Sequence, residues 1–495
     1  MRQRFAVSLR DFRVQLAVVV LGGLAVRVWA ILAWSRFVNP EGDQQFYLRQ
    51  SQYLADGLGF VYRRSQTGEI FQTAQHPPLH SILLGLATFL GGDRMQGDSH
   101  VYHRLVCAVI GAACVAVVGV VAHRLAGHVA GIVAAVLAAV YPNLWINDAM
   151  FVSESTYALM IALVLLAAYE FRDSPTLRRA VVLGAITAFA TLARAEAQIL
   201  FVIMIPPLVY WARRPTGDGD ALPGDALPED ATTPPRGASA AGRWKLLLAA
   251  WAAGGLVLAP WVLRNLTTFE HPALVSSGAG FVVEIANCDQ TYGLAPPTDS
   301  AGATIDPDAS KYLGYWAIDC DRYRDGKPWP EGDETVTELA KRQHGITYIR
   351  EHLDRFPVVV AARVGRMWDV WRPGQSVDFN TFFERRGHWP TIGGMALYYP
   401  MLLASAGALV WLRRRRITIV PFVALTAMVT ITAAMSFGIT RYRVGVDVAL
   451  CILTGVFVGA VWNAWRRPGA GPPRASATGT GDAGDATAVP AGAPG

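Results

Sequence analysis

Ten residues in five separate stretches are of the types needed to hold an anion while chemistry is done beside it: Asp43 and Tyr47, His76, Asp148 and Glu154, Arg194 and Glu196, and Arg441, Tyr442 and Arg443. A carboxylate such as Asp43 can take a proton from a hydroxyl as that hydroxyl attacks. Arginine keeps its charge and offers planar paired donors that fit phosphate. Each residue also has a plainer reading. Asp43 would serve as a helix N-cap for the run behind it, and His76, before Pro77 and Pro78, as an ordinary loop residue. Arg194 and Glu196 would pair only with each other, and Arg441 and Arg443 would snorkel to water. These separate readings leave one thing unexplained, which is why so many costly polar groups sit at the same level of a membrane protein.

The membrane reading comes from composition. The chain has 495 residues, 52% of them hydrophobic and 17% charged, with mean hydropathy +0.29. Soluble domains carry about 25% charged residues. Apolar runs of roughly 17 to 22 residues match the hydrocarbon thickness. Net charge is +6, but the basic residues stand at the ends of apolar runs as topology signals, so nucleic acid is not an expected partner. The N-terminal "MRQRFAVSLRDFR" leads into a full-length span with no small-residue cleavage site. Ten spans are expected: Val14–Trp34, Tyr102–Ala122, Val129–Ile146, Phe151–Phe171, Ala180–Ala193, Ala197–Trp211, Leu246–Leu263, Met395–Leu412, Ile417–Phe437 and Val444–Trp462. "HPPLHSILLGLATFLGG" has an apolar part of only about 14 residues and is expected to lie in the interface. Counting it as a span would move the basic connections from Arg124 to Arg467 outside, against the positive-inside bias. Arg27, in the first span, is expected to snorkel toward the level of Arg36.

The organisation that follows is an all-α polytopic protein. An N-terminal transmembrane module (1–212) contains a first external loop (35–101). A low-complexity cytoplasmic linker (213–243) precedes one span (244–264), an external region with interfacial helices (265–394), the last spans (395–465) and a low-complexity cytoplasmic tail (466–495). Within the external region, "PVVVAARVGRMWDVWRPG" reads as a helix on the membrane surface with its aromatic side down. Cys107, Cys114 and Cys451 lie in apolar runs as packing residues. If the region is external, Cys288 and Cys320 are disulfide candidates, closing a loop of about thirty residues and contributing roughly 3 to 4 kcal/mol. The sequon Asn265-Leu-Thr267 carries little weight. Both termini are expected in the cytoplasm of a bacterial-type inner membrane, with the polar cluster on the outer face.

With these residues placed, the chain resembles the GT-C superfamily of membrane glycosyltransferases. It is closest to family 39, the group of the lipid A aminoarabinose transferases and protein O-mannosyltransferases. The likeness covers the chain to about residue 464 apart from the linker. Asp43 in "GDQQFY" matches the catalytic Asp that follows the first span in that family. His76 before Pro-Pro stands where the aminoarabinose enzymes have Lys. Glu154 in "FVSESTYAL" matches a second acid at the fourth span, Arg194 in "LARAEA" a basic residue ending the fifth, and "TRYRVGVD" the late Arg/Tyr pattern. The mannosyltransferases carry Asp-Glu in the first loop, whereas Asp43 here is followed by Gln44, which goes against a protein acceptor.

The resemblance implies transfer of a sugar from a polyprenyl-phosphate monosugar to an acceptor hydroxyl on a glycan, lipid or protein, with inversion. Asp43 would be the base. Arg194, Arg441, Arg443 and His76 would bind the donor phosphate, supported by Glu154, Asp148, Glu196, Tyr442 and Tyr47. No cofactor is required by this chemistry, and no metal site is assigned, although a divalent metal stays compatible with it. Two rivals remain at this point: an O-antigen-ligase-type transferase using a lipid diphosphate, which would not need an acid after the first span, and a lipid or sugar transporter, which would more often show internal repeats.

Overall fold

The computed structural model describes residues 11–63, 68–92, 100–211, 240–296, 304, 306–317, 320 and 329–466. Most of the linker and all but the first residue of the tail lie outside them. The chain forms an all-α bundle with one small antiparallel hairpin, β1 (Val61–Arg63) and β2 (Ile70–Gln72). Before the 265–394 region, called external here only for the side that the sequence leads one to expect, come α1 (Phe12–Ala33), α2 (Asp43–Ala55), α3 (Leu79–Gly91), α4 (His100–Ala126), α5 (His128–Val140), α6 (Pro142–Ala149), α7 (Ser153–Asp173) and α8 (Leu177–Ala193). Two short helices, α9 (Leu200–Ile203) and α10 (Ile205–Tyr210), lead toward α11 (Ala240–Thr268). The external region holds α12 (Ala279–Ala286), α13 (Glu334–Glu351), α14 (Phe356–Met367) and α15 (Pro373–Asp378). The chain returns through α16 (His388–Arg414), α17 (Val420–Met435) and α18 (Val444–Trp465).

Six described helices are long and apolar enough to cross a membrane: α1, α4, α7, α11, α16, and α18 with the turn before it. A seventh span arises if α5 and α6 are counted together across their 48° bend. The remaining expected spans are shorter than a uniform ten-span bundle would have, for local reasons. Pro142 cannot donate to the ladder and restricts Tyr141, so α5 ends and α6 starts afresh with proline in its first turn. Pro206 and Pro207 likewise divide the segment after Arg194 into short pieces. α3 has 13 residues and begins just after Pro77-Pro78, short of a full crossing.

The centre of the bundle is α18, which is apolar all round and buried against α4, α5, α7 and α16. Small residues set the spacing. A Cβ added at Gly184 would lie 1.9 Å from the carbonyl oxygen of Ala250, which is why α8 and α11 pack as closely as they do.

One end of the bundle gathers the basic connections. Arg124 pairs with Asp173 at 2.9 Å, Arg172 donates to the carbonyl of Arg416, and Arg179 to that of Glu170. Phe12 stacks on His123 at 3.9 Å. Arg413 to Arg416 stand exposed. The other end joins the close of α1, α6 and α8 to the start of α4, α7 and α18; Arg104, for example, donates to the carbonyls of Val38 and Ala149.

The external region is tied to this second end. Cys288 and Cys320 are disulfide-bonded. Contrary to the surface-helix expectation, α14 buries its basic side in protein. Arg363 donates to the carbonyl of Ala286 and to Asn287, and Arg366 donates to the carbonyls of Leu313 and Lys311. Both guanidinium groups are almost fully buried because they satisfy carbonyls of an irregular chain that has no ladder of its own. Asn265, in the sequon, is buried and bonded to Arg264 and to the Leu274 carbonyl, so it is no glycan acceptor in the folded chain.

Alkylation of protein purified without reductant should label Cys107, Cys114 and Cys451 only after denaturation, and Cys288 and Cys320 only after reduction. Labelling of Cys288 before reduction, read by peptide mass, would remove the bond.

Candidate functional site

α2 opens directly on Asp43, with Gly42 (φ +52°) turning the chain into the helix and no side chain capping it. Asp43 therefore does not act as an N-cap. Its carboxylate is free to reach outward, and it receives a hydrogen bond from Arg441. His76 approaches from the hairpin side, its Nε2 3.6 Å from Asp43 Oδ1. The imidazole meets Phe46 edge-on and Tyr47 at a tilt, at 4.7 and 5.4 Å between ring centroids. Tyr47 is buried behind it and also meets His80 edge-on at 4.7 Å.

Glu154 lies in the first turn of α7, fully buried. Its Oε1 accepts from two guanidinium groups: Arg194 Nη1 at 2.5 Å, and Arg441 Nε. Arg194 caps the end of α8, donates its Nε to Glu196 at 2.6 Å, and sits 5.1 Å over the Tyr442 ring. Arg441 lies on the short turn Thr440–Arg443 before α18 and sends Nη1 to Glu384 at 3.3 Å. Six sequence-predicted residues, Asp43, His76, Glu154, Arg194, Glu196 and Arg441, thus form one continuous polar cluster with Tyr442 and Tyr47 against it. Arg194 and Glu196 do pair, but the pair is joined to the rest through Glu154.

Electrostatics follow from these contacts. Burial works against the Asp43 charge, but the guanidinium of Arg441, the hydrogen bond it gives and neighbouring His76 together hold the carboxyl well below the usual range. For His76, burial and the two arginines outweigh the pull of Asp43 and push the imidazole below its ordinary value. At neutral pH the cluster therefore presents an ionised Asp43 next to a neutral His76.

Two expected members are elsewhere. Asp148, on α6, accepts from Arg27 Nε at 2.6 Å. Arg27 also donates to the carbonyls of Gly23, Ala138 and Ala139 and is 1% exposed. It does not snorkel: a fully buried guanidinium needs these acceptors where it stands, and Asp148 belongs to that pair rather than to the cluster. Arg443 is turned away from the donor-phosphate position assigned to it. It pairs with Asp369 at 2.9 Å and Asp447 at 3.2 Å and stacks 3.6 Å from the Tyr398 ring. Arg441 and Arg443 are two residues apart on a turn of three residues per revolution, so their side chains diverge.

The sequence reading missed three participants. Glu384 and Arg386, in "FFERRGHW", enter from the external region; Arg386 is buried, 3.9 Å from Glu384 and 2.8 Å from Asn147 Oδ1. Their charge between aromatic residues was the available signal. His80 bonds Thr156 Oγ1 at 2.8 Å and the Phe151 carbonyl at 3.1 Å, linking α3 to the start of α7. Beside Arg441 lies a polar cavity of about 20 Å³, with Asn143, Asn147, Asn380, Arg386 and Thr440 among its walls, room for a single water-sized group. Among the described residues, no group of three or more His, Cys, Asp or Glu side chains is placed to hold a metal ion.

Replacing Arg27 by Met should cost about 3 to 5 kcal/mol, because Asp148 is then buried and unpaired, and R27M/D148L should recover most of it. Melting curves of the three proteins check this. The depressed Asp43 carboxyl contributes stability that is complete above its unfolded value of about 4 and is lost as pH falls through the folded value. The difference in Tm between wild type and Asp43→Asn should therefore be flat above about pH 5 and shrink on further acidification.

Residues 75–216 match the family described as dolichyl-phosphate-mannose-protein mannosyltransferase. The chain matches no curated protein. Among solved structures it is similar to the archaeal oligosaccharyltransferase AglB from Archaeoglobus fulgidus, in complex with an inhibitory peptide and a dolichol-phosphate. That similarity has 12% identity and TM-score 0.46, covering 91% of this chain and 50% of the other. This chain therefore spans about half the length of that protein. It is also similar to ArnT from Cupriavidus metallidurans bound to undecaprenyl phosphate, at 15% identity and TM-score 0.38, covering 90% and 78%. The stretch that matches the mannosyltransferase family contains His76, Glu154, Arg194 and Glu196, and with it the chain resembles the GT-C membrane glycosyltransferases.

Proposed function

We propose that this protein transfers a sugar from a polyprenyl-phosphate monosugar to an acceptor hydroxyl of a glycan, lipid or protein, at the outer face of a bacterial-type inner membrane. The donor class is supported by the matched family, whose name specifies dolichyl phosphate mannose, itself a polyprenyl-phosphate monosugar. The reading of the outer face is supported by the basic residues gathered at the opposite end of the bundle, which by the positive-inside bias would be cytoplasmic with both termini.

The observation that carries the reading is the meeting of Asp43 with Arg441, and of Arg441 with Arg194 across Glu154. Every guanidinium in this group is already bound to a carboxylate, so an incoming lipid phosphate has to take Arg441 from Asp43. That exchange would leave Asp43 ionised and without its cation, a stronger base than in the resting pair. The acceptor oxygen would then attack the anomeric carbon, its proton passing to Asp43. The new C–O bond forms as the bond from that carbon to the phosphate oxygen breaks. The electron pair leaves with the lipid phosphate, whose growing charge Arg194 and Arg441 neutralise. Attack opposite the leaving group inverts the anomeric centre. His76, neutral, would donate one hydrogen bond to the phosphate. Guanidinium groups would carry the leaving-group charge, so the scheme requires no divalent metal and no cofactor. Glu196, Tyr442 and Tyr47 would keep Arg194 and His76 in place. Arg443 and Asp148 would have structural roles.

Purified protein with radiolabelled dolichyl- or undecaprenyl-phosphate mannose should release free lipid phosphate. Asp43→Asn should lower that rate by about 10² to 10⁴ while leaving insertion near wild type. An Asp43→Asn protein that inserts normally and keeps its transfer rate would show that Asp43 is not the base.

A further inference from the structure

His76 is held in the cluster by a carboxylate from a different part of the chain. Thr73, Ala74 and Gln75 connect the hairpin to His76, and four of their polar groups are bonded to the external region. Glu334, the first residue of α13, accepts from Thr73 Oγ1 at 2.7 Å, from the Ala74 amide at 2.5 Å and from Ser277 Oγ at 2.8 Å. Ser277 returns its amide to the Ala74 carbonyl at 2.9 Å, and Ser276 Oγ donates to the Gln75 carbonyl at 2.6 Å. Arg264 donates to the Thr73 carbonyl at 3.0 Å. From its own hairpin the segment takes one bond, Thr73 amide to Phe60 carbonyl.

Glu334 is the hub of this arrangement, because one carboxylate ties a side chain and an amide of the segment to the serine that binds the same segment again. Hydrogen bonds to an ionised carboxylate are the strong class. Two residues later the backbone of His76 is restricted by Pro77, so fixing Ala74 and Gln75 leaves the imidazole little freedom in its approach to Asp43. Asp333 caps α13 through the amides of Thr335 and Val336, which leaves the Glu334 side chain to turn back onto the segment.

We propose that Glu334 is a positioning residue for His76: through Thr73, Ala74 and Ser277 it sets the 3.6 Å approach of the imidazole to Asp43, so that the fold of the external region controls the geometry of the site. Its relevance to catalysis rests on the reading of the cluster as the donor-phosphate site; the positioning itself does not.

The test uses the full chain in nanodiscs and reads the modification of His76 by diethyl pyrocarbonate across pH, from the mass of its peptide. Glu334→Ala should speed modification about tenfold at neutral pH and move its midpoint up toward the free-imidazole value of about 6.5. Glu334→Gln, which keeps one acceptor oxygen, should fall between. Glu338→Ala is the control, since Glu338 lies one turn along α13 and accepts from the Phe281 amide at 2.7 Å; it should leave the His76 profile unchanged. If Glu334→Ala does not fold, Thr73→Ala and Ser277→Ala should each give part of the shift. An unchanged His76 profile in Glu334→Ala, or an equal shift in Glu338→Ala, overturns the proposal. Titration with undecaprenyl phosphate separates the two readings. Binding by wild type and about tenfold weaker binding by Glu334→Ala supports both. Failure of wild type to bind overturns the donor-site reading and leaves the His76 result to decide the positioning.

Discussion

A single buried carboxylate oxygen, Glu154 Oε1, holds two guanidinium groups side by side. Two like charges at this separation repel, the more so where water is scarce, and neither Arg194 nor Arg441 would stay in place without the acid between them. Glu154 is fully buried, so its own charge in turn depends on the two cations. The rest of the site is arranged around this mutual dependence. Asp43 joins through Arg441, Glu196 through Arg194, and Glu384 brings in the external region. These residues come from the starts and ends of separate helices, and they meet because those termini lie at one end of an alternating bundle.

The same arrangement means that the arginines are occupied at rest. A site that binds an anion with free cations would carry surplus positive charge, whereas here four carboxylates (Asp43, Glu154, Glu196, Glu384) face three guanidinium groups (Arg194, Arg441, Arg386). Binding of an anionic ligand then has to be an exchange of partners, and the partner it exchanges with at Arg441 is the acid proposed to act on the acceptor. Pre-organisation of the donors and restraint of the base come from the same ion pairs.

Much of this was legible from the chain because the membrane imposes a simple rule. A polar side chain at hydrocarbon depth needs a reason, and the rule picked out Asp43, Glu154, Arg194 and Arg441 without any contact being known. It did not distinguish between reasons. Asp148 and Arg27 are 121 residues apart in sequence, and nothing local announces that they form a pair below the cluster. Arg441 and Arg443 look equivalent in "TRYRVGVD" and diverge only because the turn before α18 is a 3₁₀ turn. Glu384 and Arg386 sit in a long region with no periodic pattern to place them. Helix identity was read well from hydropathy, whereas the interruptions at Pro142 and Pro206-Pro207 shortened segments that a uniform span count would make continuous. α14 was read as a helix on the membrane surface, aromatic side down, because a sequence does not say that a neighbouring chain has spare carbonyls for its arginines to satisfy.

The buried pair of Arg27 and Asp148 has a bearing on geometry well away from its own position. An apolar helix surrounded by lipid and by other apolar helices slides and rotates at little cost, since one greasy face replaces another. Arg27 removes that freedom from α1: three of its hydrogen bonds go to two carbonyls of α5 and a carboxylate of α6, which fixes the azimuth of the helix. Sixteen residues further on, the chain delivers Asp43, so the heading of the acid is fixed by a key set in the middle of the first helix.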